Sequence, residues 1–241
     1  MNDKTVVVTG GTKGLGLAIV DRLSEEGYTV VAIGRTLSED LEKLIQVSSN
    51  IKFISYDFCN TDNIKSLAKD INKKYGRIYG LVNNAALGND GILATMHETD
   101  IEEMLKVNIQ APILLTKYLV RSMLLNQEGR IVNISSIIAS TGFNGLSVYA
   151  ASKAALAGFT KSLSREVGKA NITVNTVSPG YMKTKMTEGL EGDKLKSIVR
   201  RSPLGRLASV EDVSDVVSFL LKDSSKSITG SNITVDAGST A

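Results

Sequence analysis

The alternation of short apolar runs with amphipathic stretches predicts an α/β fold, a doubly wound parallel sheet of about seven strands with helices on both faces. Three observations carry that prediction. Runs such as TVVVTG (5–10) and GRIVNISS (129–136) are rich in Val and Ile, the composition of strands buried on both faces. Helical stretches separate nearly every pair of runs, as crossovers between parallel strands require. No linker rich in Pro, Gly or Ser divides the 241 residues, so a single domain, 1–241, is the simplest organisation.

The elements follow in order. A strand at 5–10 leads into a helix at 13–26. YTVVAIG (28–34) is the second strand, followed by a helix at 38–47. IKFISYD (51–57) is the third, with a helix at 62–75, and IYGLVNN (78–84) is the fourth. One long helix is expected over 98–126, apolar on more than one face and therefore not half-exposed in the assembled protein. The fifth strand, 129–136, precedes a helix at 148–168. ITVNTVSPG (172–180) is the sixth strand. Helical pieces at 193–200 and 210–222 lead to a last strand, NITVD (232–236). The irregular stretch after the sixth strand, about 184–208, lies where doubly wound sheets bind ligands, and is expected to form a substrate lid.

Composition narrows the function. A net charge of +3, from 28 basic and 25 acidic side chains, is too mild to argue for a nucleic-acid partner. With no Trp and only five Phe, base-stacking platforms are not expected. Cys59 is the only cysteine and His97 the only histidine. Multi-thiolate metal sites are thereby excluded, and a Ser-His-Asp triad or a zinc site would have to run through His97, so no metal is expected. No apolar stretch approaches the ~20 residues that cross a bilayer, and no signal-peptide pattern opens the chain. A cytoplasmic protein without a membrane partner is the expectation.

The turn VTGGTKGLG (8–16) follows the first strand and opens the first helix. Gly10, Gly14 and Gly16 let the backbone approach a pyrophosphate, and the helix N-terminus offers it free N–H groups. The spacing is GxxxGxG; alone it would equally suit a plain tight turn, and the strand–turn–helix context favours a dinucleotide. The second strand ends AIGRT. Arg35 and Thr36 stand where an NAD site places a carboxylate. A guanidinium suits a 2′-phosphate, Lys13 can add a second cation, and the pair favours NADPH over NADH.

TGGTKGLG (9–16), Asp57, NNAA (83–86), Asn108, NISS (133–136), Tyr149-x-x-x-Lys153 and SPG (178–180) together resemble the short-chain dehydrogenase/reductase family. They are ordered and spaced as in that family across nearly the whole chain. The stretch 202–238 looks most like its 3-oxoacyl-[acyl-carrier-protein] reductase branch. The resemblance implies a Rossmann-type fold, NADPH/NADP+ as cofactor and hydride transfer between a nicotinamide and a carbonyl/alcohol pair. It implies Asn108, Ser136, Tyr149 and Lys153 as catalytic residues. Tyr149 would protonate the carbonyl oxygen and Ser136 would hydrogen-bond it. Lys153, on the same helix face, would lower the phenol pKa and bind the nicotinamide ribose. Asn108 would help to hold a water that resupplies protons. The cofactor would meet Gly10, Thr12, Lys13, Gly14, Leu15, Gly16, Arg35 and Thr36. Asp57 and Phe58 would meet the adenine, and Asn84 and Ala85 the adenosine ribose. Tyr149, Lys153, Pro179, Gly180, Met182 and Thr184 would lie at the nicotinamide end.

Two departures bear on this reading. Pro112 has no N–H for the Asn108 carbonyl, so a break in the helix is expected over 106–114. Ala86 replaces a family glycine and would cost roughly 1 kcal/mol if that position needs a positive φ. The substrate stays open between a 3-oxoacyl thioester, carried or free, and another small or polyketide-like ketone or alcohol; the alternative outside enzymes, a non-catalytic NADPH-binding regulator, has no need of the intact set of Asn108, Ser136, Tyr149 and Lys153. Lys194, Lys196, Arg200 and Arg201 could form a basic rim for a phosphopantetheine arm or an acidic carrier. Against carrier docking, the positions where that branch often places basic residues are Gln127 and Ala170, with only Arg130 and Lys169 nearby. The small residues of AASKAALAGF (150–159) and the all-round apolar helix imply, as in the family, a homotetramer.

Overall fold

The computed structural model describes residues 4–182 and 192–241. Seven strands form one parallel sheet in the order β3-β2-β1-β4-β5-β6-β7. They are β1 (Thr5–Thr9), β2 (Thr29–Gly34), β3 (Ile51–Ser55), β4 (Ile78–Asn83), β5 (Gly129–Ile134), β6 (Ile172–Pro179) and β7 (Asn232–Val235). The expected α/β class, strand count and doubly wound topology are all present. Several strands end before the sequence suggests. β3 stops at Ser55 and β5 at Ile134, leaving Asp57 and Ser136 in loops beyond the carboxyl edge of the sheet.

Strand alternation builds two cores. Val7, Val31 and Ile33 face α3 (Ile64–Tyr75), α5 (Ala111–Asn126) and α7 (Ser147–Val167) through Ile71, Leu115, Leu119 and Leu163. Val6, Val8 and Val30 face α1 (Gly14–Glu25), α2 (Glu39–Val47) and α9 (Val210–Leu221) through Ile19, Leu23, Leu41, Val213 and Val217. Successive strand residues point to opposite faces, which is why a Val-Val-Val run serves both layers. The chain also forms α6 (Ile138–Thr141), absent from the sequence reading and packed against α7, and α8 (Gly192–Arg201), which precedes α9.

The stretch expected as one helix over 98–126 is not uniform. It starts as α4 (Glu98–Leu105), widens into a π-turn at Lys106–Gln110 and resumes as α5. The Ala111 N–H reaches five residues back, to the Lys106 carbonyl. The break falls where Pro112 removes an α-helical donor, and it surrounds Asn108.

Ala86 shows no strain: its φ is not among the positive values, which apart from glycine belong to Gln127, Asn171 and Ala237. The alanine in left-handed backbone is Ala237, at φ 55°. Among the described residues no helix is long and apolar enough to cross a membrane.

Candidate active site

The sheet order reverses between β1 and β4, and the crevice there is the topological switch point where such folds bind ligands. Sequence-distant groups close around it. The Asn84 side-chain amide donates to the carbonyls of Thr9 (3.0 Å) and Gly10 (3.2 Å). The Thr9 hydroxyl accepts from the N–H groups of Asn84 and Ala85, both at 3.0 Å. Gly10 has φ +66°, and a Cβ on it would lie 2.9 Å from the Ala85 Cα. A Cβ on Gly16 would lie 2.0 Å from the Gly10 carbonyl oxygen. No side chain fits at either place, so these glycines hold the first turn of α1 against the turn itself. Asn84 and Ala85 therefore build the cradle itself.

The cradle fits a dinucleotide phosphate. The first turn of α1 carries no acidic residue, and Lys13 at its N-cap makes no side-chain cap. The N–H groups there keep their positive end of the helix dipole for an anion. Lys13, Arg35 and Thr36 are exposed at the rim. Among the described residues neither cation is in an ion pair. Thr12 and Leu15 are buried beneath the turn. On the other side of β2, Asp57 is exposed and accepts from the Cys59 N–H at 3.0 Å in an Asx turn. Phe58 is buried, packed edge-on against Tyr56.

The other candidates converge beyond the carboxyl ends of β4, β5 and β6. Tyr149 and Ser136 come together, the serine acting to lower the phenol pKa, and the Ser136 hydroxyl accepts from the Ile138 N–H at 3.2 Å. Lys153 is buried and donates to the Ile134 carbonyl at 2.9 Å. Its Nζ lies 5.8 Å from the Tyr149 ring centroid. Pro179 closes β6, and Gly180 and Met182 follow it. Thr184 and Met186 lie outside the described residues, as do the side chains of Lys194 and Lys196. Among the described residues no group of His, Cys, Asp and Glu could hold a metal ion.

The electrostatics correct one expectation. The Tyr149 phenol pKa is raised rather than lowered. Burial pushes that pKa up, outweighing the Ser136 hydrogen bond, and the nearby Asp90 and Tyr181 add to the rise. Burial also pushes Lys153 down, to about 8. Desolvation disfavours each charged form, so the protein keeps the phenol protonated and brings the amine near neutral pH.

Asn108 is spent on bracing. Its Oδ1 accepts from the Leu87 N–H at 2.8 Å, and its Nδ2 donates to the Leu87 carbonyl (2.9 Å) and the Ser152 hydroxyl (3.0 Å). Ser152 donates in turn to the Tyr149 carbonyl at 2.7 Å. The Ser135 hydroxyl donates to the Lys153 carbonyl at 2.8 Å. Sequence reasoning did not assign Ser135 or Ser152; their adjacency to Ser136 and Lys153 was the available signal. A second network lies deeper. Asn83 donates to Thr116 and Asn133, Asn133 to Thr160, and Thr176 to Thr160, all within 3.0 Å. It ties β4, β5 and β6 to α5 and α7 beneath the site. Also unforeseen are Asp90, Phe143 and Tyr181 at its outer side; the last two pack edge to face, with ring centroids 6.2 Å apart.

Carrier-protein docking loses support. Arg130 is buried, donating to the carbonyls of Gly129 and Asn171 and to Asp223. Gln127 caps α5 in left-handed backbone and Ala170 is buried. Only Lys169 of that neighbourhood is an exposed cation.

Comparison with known proteins adds the following. A family model described as "Enoyl-(Acyl carrier protein) reductase" matches residues 10–240. The "3-oxoacyl-[acyl-carrier-protein] reductase FabG" of Escherichia coli (strain K12) is 35% identical over 237 residues, 98% of this chain and 96% of that protein. "Carbonyl reductase family member 4" of Xenopus tropicalis is 40% identical over 235 residues, 98% of this chain and 97% of that protein. Among solved structures, a short-chain type dehydrogenase/reductase from Mycobacterium ulcerans matches with a TM-score of 0.92 at 26% identity, over 98% of this chain and 90% of the other. A double mutant of a Serratia marcescens short-chain dehydrogenase/reductase gives 0.91 at 30%, over 99% and 98%.

Proposed function

Because the chain belongs to the short-chain dehydrogenase/reductase family, and is an oxidoreductase of Rossmann-type fold, we propose that it is an NADPH-dependent reductase that delivers hydride to a carbonyl, with 3-oxoacyl thioesters as its first substrate class. The observation that carries this reading is the half-buried Tyr149 phenol, kept protonated with Ser136 beside it and one helical turn from a buried lysine pushed down to about 8. The relative from Escherichia coli is named for a 3-oxoacyl substrate, which supports the substrate class.

NADPH, when bound, supplies the hydride. The cradle of Gly10, Gly14 and Gly16 with the α1 N-terminus would hold its pyrophosphate, and Lys13, Arg35 and Thr36 the 2′-phosphate. Asp57 and the Phe58 backbone would take the adenine, with Pro179, Gly180 and Met182 at the nicotinamide. Tyr149 gives its proton to the carbonyl oxygen, and Ser136 donates a hydrogen bond to the same oxygen as negative charge develops there. The raised phenol pKa suits an acid. Lys153, beside the phenol, replaces the proton it gives away, and Asn108, within the π-turn, would help to hold a resupplying water.

A second reading, reduction of another small or polyketide-like ketone or the reverse oxidation of its alcohol, is favoured by the burial of Arg130, which leaves little for a carrier protein to grip. The relative named carbonyl reductase supports it too. We also propose a cytoplasmic homotetramer. Ala151, Ala154 and Gly158 form an exposed stripe on α7, a Cβ on Gly158 would meet nothing within 4 Å, and Leu125 on α5 is 87% exposed. Sedimentation at micromolar concentration should give a tetramer; a monomer refutes that part.

The deciding experiment is NADPH oxidation with acetoacetyl thioesters, free and carrier-bound, beside a panel of ketones, for wild type and Tyr149→Phe. The variant should lose turnover by at least about a hundredfold while binding NADPH as before. Tight NADPH binding by the wild type without turnover of any carbonyl would refute the enzyme reading.

A further inference from the structure

Residues 236–241 form a polar knot around one carboxylate. Asp236 Oδ1 accepts from the Gly238 N–H at 2.9 Å. Its Oδ2 accepts from the Ser239 hydroxyl (3.0 Å), the Thr240 N–H (2.9 Å) and the Thr240 hydroxyl (2.7 Å). The residue is only 9% exposed, and these donors hold its carboxyl below the usual range despite burial. Four donors on a buried carboxylate make the knot rigid, because each is costly to leave unpaired.

The knot touches the chain on both sides of the region after β6. On one side Gly180 lies against it. A Cβ on Gly180 would sit 2.7 Å from the Asp236 Cβ, and the Gly180 N–H donates to the Val235 carbonyl at 2.9 Å. On the other side the Ser202 hydroxyl donates to the Ala237 carbonyl at 2.7 Å, and Pro203 packs on Gly238 so closely that a Cβ there would be 2.9 Å from its ring. The next residue after Gly180 is Tyr181, and the residue before Ser202 is Arg201. Tyr181 packs edge-on against Phe143, acts electrostatically on Tyr149, and is itself acted on by Arg201. The two fastened points are therefore the immediate neighbours of the groups on the outer side of the candidate catalytic phenol.

We infer that Asp236 is a positioning residue: by organising residues 236–241 it fixes Gly180 and Ser202, and with them Tyr181 near Tyr149 and Arg201 near Tyr181, so that it governs affinity for the carbonyl substrate rather than the chemical step. This rests on the reductase reading of the site. Asp236 does not touch the reacting atoms. A loosened knot lets Tyr181 and Arg201 drift while Tyr149, Ser136 and Lys153, held by β5 and α7, stay in place.

The test uses full-length Asp236→Asn and Thr240→Val, with Thr240→Ser as the conservative control. KM for the best carbonyl substrate should rise about tenfold in the first and several-fold in the second, the worth of one or two hydrogen bonds. In both, kcat and the NADPH dissociation constant should stay within about twofold, and Thr240→Ser should behave as wild type. A fall in kcat at constant KM, a parallel loss of NADPH affinity, or no kinetic change would overturn the inference. If the wild type reduces no carbonyl, the reading of the site fails and the knot is tested on its own. Amide hydrogen exchange of Tyr181, Met182 and residues 198–206 in the cofactor-free protein should then be about tenfold faster in Asp236→Asn, and unchanged rates refute the fastening. Should Asp236→Asn not fold, Thr240→Val carries both measurements.

Discussion

Lys153→Met is the most direct probe of how the site is tuned, and it can be read without any substrate. Lys153 is fully buried, and burial moves its pKa from an ordinary 10.5 to about 8. Met keeps the length and apolar volume of the side chain and removes the titrating group. At roughly 1.4 kcal/mol per pH unit, the gap corresponds to about 3 kcal/mol between the charged and neutral lysine. The sign follows from proton counting. Below pH 8 the amine is protonated in both folded and unfolded chains, so the cost of burying its charge stands in full and does not change with pH. Between about 8 and 10.5 the unfolded chain holds a proton that the folded one does not, and stability rises with pH. The hydrogen bond to the Ile134 carbonyl offsets about 1 kcal/mol of the cost. Lys153→Met should therefore be more stable than wild type by about 2 kcal/mol at pH 7, and by about 1 kcal/mol less at pH 9. Urea denaturation of the cofactor-free proteins, followed by circular dichroism at one fixed concentration, gives both values, and titrations common to the two proteins cancel in the difference. A variant less stable than wild type at pH 7, or a difference that does not change with pH, would show that the lysine is not a desolvated group.

Three further outcomes follow from named contacts. Arg35→Asp should move the NADPH/NADH preference in kcat/KM toward NADH by at least about tenfold, since a carboxylate repels a 2′-phosphate and accepts from a 2′-hydroxyl; an unchanged ratio refutes the cofactor argument. Asn133→Ala should lower unfolding stability by about 2–3 kcal/mol, because it strips partners from Asn83 and Thr160 in the buried network; a change below about 0.5 kcal/mol in denaturant unfolding would mean that water replaces it. Ala237→Gly should raise the melting temperature by relieving a φ of 55°, worth up to about 1 kcal/mol; a decrease would mean that the backbone there carries no strain.

Much of the fold was legible because the pattern is local. Runs of Val and Ile bounded by Gly, Asn and Asp mark buried parallel strands whatever the rest of the chain does. The glycine turn and Tyr149-x-x-x-Lys153 were legible for the same reason, since each is set by spacing along one turn or one helix face. The break at Asn108 was also readable, because a missing N–H at Pro112 is a covalent fact. Contacts made by folding were not readable. Asn83 and Asn133 meet only because β4 and β5 pair in one register. Tyr181 and Phe143 meet only because β6 and the loop before α7 end on the same side of the sheet.

The two alanines show where local reasoning stops. A family glycine replaced by Ala86 suggested strain, yet the chain passes that point with an ordinary φ. Ala237, which no motif singled out, takes the left-handed conformation instead. Its carbonyl receives the Ser202 hydroxyl, and its neighbours Asp236 and Gly238 press on Gly180 and Pro203. Left-handed backbone turns the chain sharply between those two contacts, and a residue there keeps an unfavourable φ only when its surroundings hold it. Both flanks of Ala237 are held, so the strain sits at the one position where residues 236–241 must reach two separate parts of the region after β6. The Tyr149 phenol follows the same rule of context over local chemistry. A lysine one turn away predicts a lowered pKa, and burial reverses the sign, which keeps the phenol in the protonated form that its expected part as an acid needs.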